Sequence, residues 1–226
     1  MKPTRALALK HAETDLPGTL PELFAEQGID LEVTHIGRGL VAPEKLDLLV
    51  VMGCPESAYD HRVPWLSAEL EWLKAVQARG VPTLGICFGS QILARALGGE
   101  CYRNREVETA WTELQTPEAD WQHKGPWLSF HFDAFRVPPG ATLLGYTDKA
   151  PQAYRLGCAM GVQFHPEITP EMFDTWTAHW RTTEEGRRFL AESGDLPERI
   201  RAEIVAREAD NRANCRALLA DFLARC

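Results

Sequence analysis

A strand, a sharp turn and a helix follow one another without a break in Pro82-Thr83-Leu84-Gly85-Ile86-Cys87-Phe88-Gly89-Ser90-Gln91-Ile92-Leu93-Ala94. Glycines on both sides of Cys87 relieve the crowding of a tight turn, so that the thiol is presented at its apex. The first N–H groups of the helix point at the same spot and favour negative charge, which lowers a thiol pKa. The stretch predicts a cysteine nucleophile, although a free cysteine is also commonly a buried structural residue.

The composition argues against several classes of function. The 226 residues carry a net charge of -8 and have a pI near 5.4, which disfavours nucleic acid as the main partner. No apolar run approaches the roughly 18 residues that span a bilayer. The run in Met1–Lys10 is too short for a secretory signal and predicts a first strand. The six cysteines lack the spacing of a metal motif, so we expect no zinc site and a soluble, cytoplasmic protein with reduced thiols.

The order of apolar segments predicts an α/β fold. Strands and amphipathic helices alternate as far as Cys87, which implies right-handed crossovers and a doubly wound, mostly parallel sheet. Further β-like runs predict a small antiparallel extension of that sheet, at residues 107–114, 128–137, 141–146 and 152–156. A buried strand follows at 159–164, and residues 171–226 predict a helical tail. Because no linker or repeat interrupts the chain, we expect residues 1–226 to form one domain.

A histidine and a carboxylate follow the last buried strand as His165-Pro166-Glu167. Ligands bind beyond the carboxyl ends of parallel strands, so His165 is expected at the sheet edge that presents Cys87. Pro166 restricts the backbone, and Glu167 can turn back toward the imidazole. A carboxylate bonded to one ring nitrogen leaves the other to accept the thiol proton. The pattern predicts a Cys87–His165–Glu167 triad; an isolated histidine would more commonly be structural.

The turn Gly53-Cys54-Pro55-Glu56-Ser57 follows an apolar strand at residues 46–52 and is expected at the same edge. A backbone N–H in this turn, together with that of Phe88, is placed to stabilise a tetrahedral oxyanion. An ordinary connecting loop is the alternative, because glycine and proline punctuate most turns.

These motifs together resemble a class I (triad-type) glutamine amidotransferase, especially stand-alone proteins related to the amidotransferase domain of GMP synthase. They cover residues 45–170. The resemblance implies a flavodoxin-like fold and no metal or organic cofactor. It also implies roles for residues of this chain: Cys87 as nucleophile, His165 as base, Glu167 as orienting acid, Phe88 and the Gly53–Cys54 peptide as oxyanion donors, and Gln91, Phe130, His131 and Phe132 as substrate-binding residues.

The implied reaction is attack of the Cys87 thiolate on the γ-carboxamide of glutamine, followed by release of ammonia and then glutamate. Two residues depart from the family pattern. Cys54 stands where relatives have a second glycine, and it would be strained if that position requires a positive φ. Phe132 replaces a glycine whose backbone approaches the glutamine in relatives, so its ring is expected to reshape the pocket.

Several functions remain open. The helical tail is too short for an ammonia-accepting synthase domain, so amidotransfer would require a separate partner. A γ-glutamyl peptidase or hydrolase on the same scaffold, or a non-catalytic regulatory protein, would also fit. A dienelactone-type α/β-hydrolase has a similar elbow, but its acid comes well before its histidine, whereas Glu167 follows His165.

Four tryptophans are expected to be exposed and either form a partner surface or pack the tail onto the domain: Trp121, Trp127, Trp176 and Trp180. Helical spacing favours packing for Trp176 and Trp180.

Overall fold

Alternating strand–helix units build the first part of the chain. The computed structural model describes residues 4–226, so the part of the predicted first strand at Met1–Pro3 lies outside the described residues. The elements of this part are β1 (Arg5–Lys10), α1 (Leu20–Glu26), β2 (Asp30–His35), β3 (Leu49–Val51), α2 (Leu66–Ala78), β4 (Thr83–Ile86) and α3 (Phe88–Ala96). The predicted alternation is confirmed.

The second part of the chain is first β-rich and then helical. Its elements are β5 (Cys101–Thr112), β6 (Trp127–Phe135), β7 (Thr142–Tyr146), β8 (Pro151–Leu156), β9 (Ala159–Val162), α4 (Pro170–Trp180), α5 (Glu184–Ser193) and α6 (Leu196–Ala224). Within residues 4–226, no helix is both long and apolar enough to cross a membrane.

A seven-stranded sheet runs in the order β2-β1-β3-β4-β9-β8-β7. The first five strands are parallel, and β8 and β7 are antiparallel, which confirms the predicted mostly parallel sheet. Apolar side chains of α1 and α6 pack on one face of the sheet, and those of α2 and α3 pack on the other. The nearly continuous apolar run of β3 follows from this burial on both faces.

The antiparallel strands do not all join one extension. β7 and β8 extend the main sheet as predicted, whereas β5 and β6 form a separate two-stranded sheet. The reason is that β8 already pairs with the outer edge of β9. The backbone N–H of His165 donates to the carbonyl of Leu128 at 2.8 Å, which fixes β6 beside the chain that leaves β9.

Two of the four tryptophans predicted to be exposed are buried. Trp127 is fully buried and stacks on Phe164 with ring centroids 4.7 Å apart, and Trp121 is also in the core. Trp176 and Trp180 are partly buried and pack with Phe130 and Phe173, so the prediction that they pack the tail onto the domain is confirmed. All four tryptophans therefore make apolar contacts inside the fold, although the sequence did not indicate their partners.

Candidate active site

Cys87 occupies a strained turn between β4 and α3. Its backbone has φ 51° and ψ −111°, and within residues 4–226 it is the one non-glycine residue with a positive φ. Residues in such regions cost on the order of 1–3 kcal/mol and cluster at functional sites. A β-carbon on Gly85 would overlap the carbonyl of Gly89, and one on Gly89 would overlap the carbonyl of Val51. Both glycines are therefore required by close backbone packing, as the sequence predicted for this turn. We call the turn, residues 85–89, the elbow.

Hydrogen bonds fix the peptide groups around the nucleophile. The N–H of Cys87 donates to the carbonyl of Val162 on β9 at 2.8 Å. The hydroxyl of Ser90 donates to the carbonyl of Cys87 at 2.6 Å. Phe88 is the first residue of α3, so its N–H has no acceptor within the helix. The elbow thus presents a thiol and an adjacent backbone donor from one rigid turn.

His165 and Glu167 form a buried pair beyond the end of β9. Nδ1 of the imidazole lies 2.9 Å from Oε1 of the carboxylate, and the two side chains are 4% and 1% exposed. The backbone carbonyl of Glu167 accepts from the N–H of Thr19, and that of Pro166 accepts from the amide of Asn211. Helices α1 and α6 thereby hold the turn that lets the carboxylate reach back to the ring.

The imidazole of His165 also contacts the thiol of Cys87. Burial disfavours the imidazolium, but the charges of Glu167 and Cys87 and hydrogen bonds to both raise the pKa of His165 to about 10. The structure therefore brings the three predicted triad residues together, in an environment that favours the imidazolium form of His165. This arrangement can activate a sulfur nucleophile and deliver a proton to a leaving group.

The turn at residues 53–57, which we call the predicted oxyanion loop, passes close to the thiol of Cys87 and the imidazole of His165. A β-carbon on Gly53 would lie 3.3 Å from Cε1 of His165 and 3.7 Å from Cβ of Cys87. Cys54 has no positive φ, so the strain expected for a cysteine at this position does not arise. Its Sγ accepts from the N–H of Glu56 at 3.4 Å, which shapes the turn after β3.

Gln91 lies on the first turns of α3 and is buried at the site. Its Nε2 donates to the backbone carbonyl of Asp133 at 3.1 Å and to Oε1 of Gln163 at 3.2 Å. Gln163 in turn places its Nε2 3.7 Å from Sγ of Cys87. The sequence analysis assigned no role to Gln163. Its position near the end of β9, two residues before His165, indicates that it lies at the same sheet edge as the candidate site.

The predicted binding segment on β6 points in two directions. Phe130 and Phe132 face the helical tail, while His131 turns into a buried polar group on the other side of the strand. Nε2 of His131 lies 3.3 Å from both Oε2 of Glu108 and Nε2 of Gln152. All three segment residues line the cleft, but the His131 imidazole already has protein partners.

An aromatic wall closes one side of the cleft. We define it as Phe130, Phe132, Trp176, Trp180 and Phe189. The ring of Trp180 stacks on that of Phe130 at 5.3 Å, and Phe189 meets Phe130 and Phe132 edge-on at 5.9 and 6.1 Å. Trp176 also packs edge-on against His165 at 5.0 Å. Helix α4 therefore forms part of the site, with Phe189 of α5 packed against its Trp180, which the sequence did not indicate.

Asp133 ties the oxyanion loop to the segment on β6. Its carboxylate accepts from the hydroxyls of Ser57 at 2.5 Å and Tyr59 at 3.1 Å, and Arg103 lies 3.4 Å away. The guanidinium of Arg103 also sits 5.1 Å from the ring centroid of Phe132. These contacts hold Phe132 at the rim of the cleft.

The elbow, the oxyanion loop, β6 and α4 enclose a cleft of about 210 Å³. Cys87, Phe88, Gln91, His165 and Glu167 line it together with Gly53 and Cys54. A volume of this size, with a buried thiol at its base, suits a small substrate rather than a polymer.

A family model described as glutamine amidotransferase class-I matches residues 19–179. The chain belongs to this family. The matched region includes the elbow, the oxyanion loop and the His165–Glu167 pair.

Curated relatives of this family member include GMP synthases described as glutamine-hydrolyzing. The chain is 30% identical over 213 residues to the protein of Corynebacterium jeikeium, covering 77% of this chain and 39% of the relative. It is 36% identical over 126 residues to that of Aeropyrum pernix, covering 50% of this chain and 24% of the relative. The chain thus spans well under half the length of these relatives.

Solved structures of amidotransferases share the fold. A glutamine amidotransferase from Thermotoga maritima superposes with a TM-score of 0.85 at 26% identity, covering 97% of this chain and 98% of that one. A glutamine amido transferase from Methylobacillus flagellatus gives a TM-score of 0.80 at 23% identity, with coverage of 99% and 95%. The predicted amidotransferase fold is confirmed.

Proposed function

We propose that this chain hydrolyses glutamine through a γ-glutamyl thioester on Cys87. The observation that carries the proposal is the buried His165–Glu167 pair, with an Nδ1–Oε1 distance of 2.9 Å, in the cleft that Cys87 also lines. A thiol paired with a carboxylate-oriented histidine is the arrangement that cysteine hydrolases require.

In the first step, the thiolate of Cys87 forms a bond to the γ-carboxamide carbon of glutamine. The carbonyl electron pair moves onto oxygen, and the N–H of Phe88 and that of the Gly53–Cys54 peptide stabilise the negative charge. The imidazolium of His165 then donates its proton to the amide nitrogen, the C–N bond breaks, and ammonia leaves.

In the second step, water hydrolyses the thioester. Neutral His165 takes a proton from water as its oxygen attacks the acyl carbon. The C–S bond then breaks, which releases glutamate and restores the thiolate and the imidazolium. Glu167 keeps the ring oriented through both steps.

Gln91 would bind the γ-amide of the substrate through its Oε1. This assignment is supported by the two hydrogen bonds that its Nε2 makes to Asp133 and Gln163. Those bonds use both amide hydrogens and leave the oxygen as the group directed at a substrate N–H. The backbone of Phe130, His131 and Phe132 would line the other side of the bound glutamine.

Glutamate release from glutamine tests the proposal. Wild-type protein is expected to release glutamate, and Cys87→Ala is expected to abolish the release. Cys158→Ala removes a cysteine outside the cleft and should leave activity unchanged. Failure of wild-type protein to release glutamate from glutamine or from γ-glutamyl peptides would overturn both this proposal and the alternative below.

A γ-glutamyl hydrolase is the second candidate, and the aromatic wall favours it. The resemblance implies that Phe132 replaces a glycine, and its ring gives the cleft an apolar lining. Such a surface would suit a γ-glutamyl amide with an apolar leaving group. Phe132→Ala should then lower kcat/KM for that substrate about tenfold or more while affecting glutamine less. An equal effect on both substrates would reject this candidate.

We further propose that the ammonia passes to a synthase. The support is the description of the curated relatives, which are glutamine-hydrolyzing GMP synthases. We also propose a cytoplasmic location, which is supported by the six free cysteines.

Continuous packing of α6 against the sheet supports the proposal that residues 1–226 form one domain. Release of 171–226 as a separately folded proteolytic fragment would contradict that assignment.

A further inference from the structure

Three donor side chains converge behind the oxyanion loop, and the proposed hydrolysis uses none of them. They are His11 at the end of β1, Asp15 in the turn that follows, and Cys54. One ring nitrogen of His11, a carboxylate oxygen of Asp15 and Sγ of Cys54 lie within 4.8 Å of one another. His11 and Asp15 are buried, and Cys54 is partly exposed.

Glu69 on α2 fixes which nitrogen of His11 is available. Nε2 of the imidazole lies 2.9 and 3.0 Å from the two carboxylate oxygens, and both side chains are fully buried. Nε2–H therefore donates to Glu69, and Nδ1 is the ring nitrogen that is left for another partner. Within residues 4–226 this buried Nδ1 has no hydrogen-bond partner. Buried polar atoms without a partner are rare and call for an explanation.

The same arrangement is common around bound metals. A metal-binding histidine almost always donates its second ring N–H to a carboxylate, which fixes the tautomer and makes the ligating nitrogen more basic. Trp65 and Phe88 pack against the His11 ring, with centroids 4.7 and 4.9 Å from it. The imidazole is thus oriented before any ligand arrives.

The other two donors are positioned by backbone groups. Oδ2 of Asp15 accepts from the N–H of His11 at 3.1 Å and from that of Ala12 at 2.7 Å, which fixes the carboxylate. Imidazole, carboxylate and thiolate together are a donor set suited to zinc. Zinc takes such ligands at about 2.0–2.3 Å, and three donor atoms within 4.8 Å of one another need only a small approach to surround one ion.

We propose that His11, Asp15 and Cys54 bind a zinc-class divalent cation through Nδ1, a carboxylate oxygen and Sγ. The bond to Sγ replaces the thiol proton, which leaves to solvent. Three protein ligands would leave a fourth position for water, and Asp15 and Cys54 also line the cleft. The ion would tie the oxyanion loop to the end of β1. Sequence spacing predicted no zinc site, because the three residues come together only through the parallel pairing of β1 and β3.

Cobalt uptake tests the site without any measurement of glutamine hydrolysis. The experiment uses Cys87→Ala protein, so that the thiol beside His165 cannot contribute a ligand. Titration with Co²⁺ alone should saturate at one ion per chain, with the visible bands of tetrahedral cobalt and a thiolate-to-cobalt charge-transfer band. Zn²⁺ should displace the cobalt.

Variants assign the ligands. Adding Cys54→Ala should abolish the charge-transfer band, and adding Asp15→Asn should weaken cobalt binding while keeping a backbone-accepting oxygen. Glu69→Gln should weaken binding about 10–100-fold by acting through His11. Cys158→Ala is the matched control and should bind as the parent does, with thermal melting confirming that each variant is folded. Absence of cobalt uptake by the parent, or a charge-transfer band that persists in Cys54→Ala, would overturn the proposal.

Discussion

Nδ1 of His165 lies 2.9 Å from Oε1 of Glu167, and both side chains are buried. The two residues are separated only by Pro166, so the contact depends on a local turn held by α1 and α6. Local sequence therefore fixes the partner of the imidazole, while distant helices fix its direction.

Replacing the carboxylate of Glu167 should remove this orientation. Glu167→Gln is expected to lower kcat for glutamate release by on the order of 10³–10⁴, because the amide favours the wrong tautomer and no longer stabilises the imidazolium. Steady-state kinetics measures the effect. Glu171→Gln, on the exposed first turn of α4, should retain wild-type kcat. Equal loss in both variants would contradict a positioning role for Glu167.

Protonation of His165 should persist well above neutral pH. The ring is buried, but the charges of Glu167 and Cys87 and its hydrogen bonds to both raise its pKa to about 10. NMR of labelled histidines should show an imidazolium at pH 8 in wild-type protein and a lower pKa in Cys87→Ala. Titration of wild-type His165 near its ordinary value of about 6.5 would refute the ion pair.

The same shift sets a stability trend. A folded-state pKa above the unfolded value stabilises the fold fully below the unfolded pKa of about 6.5 and loses that contribution as pH rises toward 10. The difference in unfolding free energy between wild type and Glu167→Gln should therefore shrink across this range. Urea titrations at several pH values measure it, and a difference that grows with pH would contradict the assignment.

Gln91 should matter for stability as well as binding. Gln91→Leu leaves the amide oxygen of Gln163 without a donor and removes one of the two hydrogen bonds to the carbonyl of Asp133, which should cost about 1–3 kcal/mol in urea unfolding. KM for glutamine should also rise in this variant. Exposed Gln122→Leu should change stability by less than about 0.5 kcal/mol. Loss of stability with unchanged KM would restrict Gln91 to a structural role.

The elbow should not tolerate a side chain at Gly89. A β-carbon there meets the backbone carbonyl of Val51 on β3, which cannot move without disturbing the sheet. Gly89→Ala should therefore destabilise the fold by about 3 kcal/mol or more. Gly37→Ala is the control, since its β-carbon meets the end of the His35 side chain. Thermal or urea unfolding compares the two, and equal stability would show that the backbone at Val51 yields.

The sequence predicted most of the sheet because its patterns are local. An apolar strand followed by an amphipathic helix permits one handedness of crossover, so β1 to β4 and their helices could be predicted without long-range information. The prediction that β5 and β6 extend the main sheet was wrong, because their separation from that sheet depends on β8 occupying the edge of β9. The prediction that Trp127 is exposed was also wrong, because its stacking partner Phe164 is distant in sequence.

By itself, the sequence determined that Cys87 lies in a sharp turn and that His165 and Glu167 follow a buried strand. Both features depend only on neighbouring residues, namely the flanking glycines and the apolar run before His165. Tertiary structure decided what surrounds that thiol: the contact from Gln163, the aromatic wall of the tail, and the approach of His11 and Asp15 to Cys54. These contacts join residues far apart along the chain. Their formation depends on strand order and helix packing, which no short motif encodes.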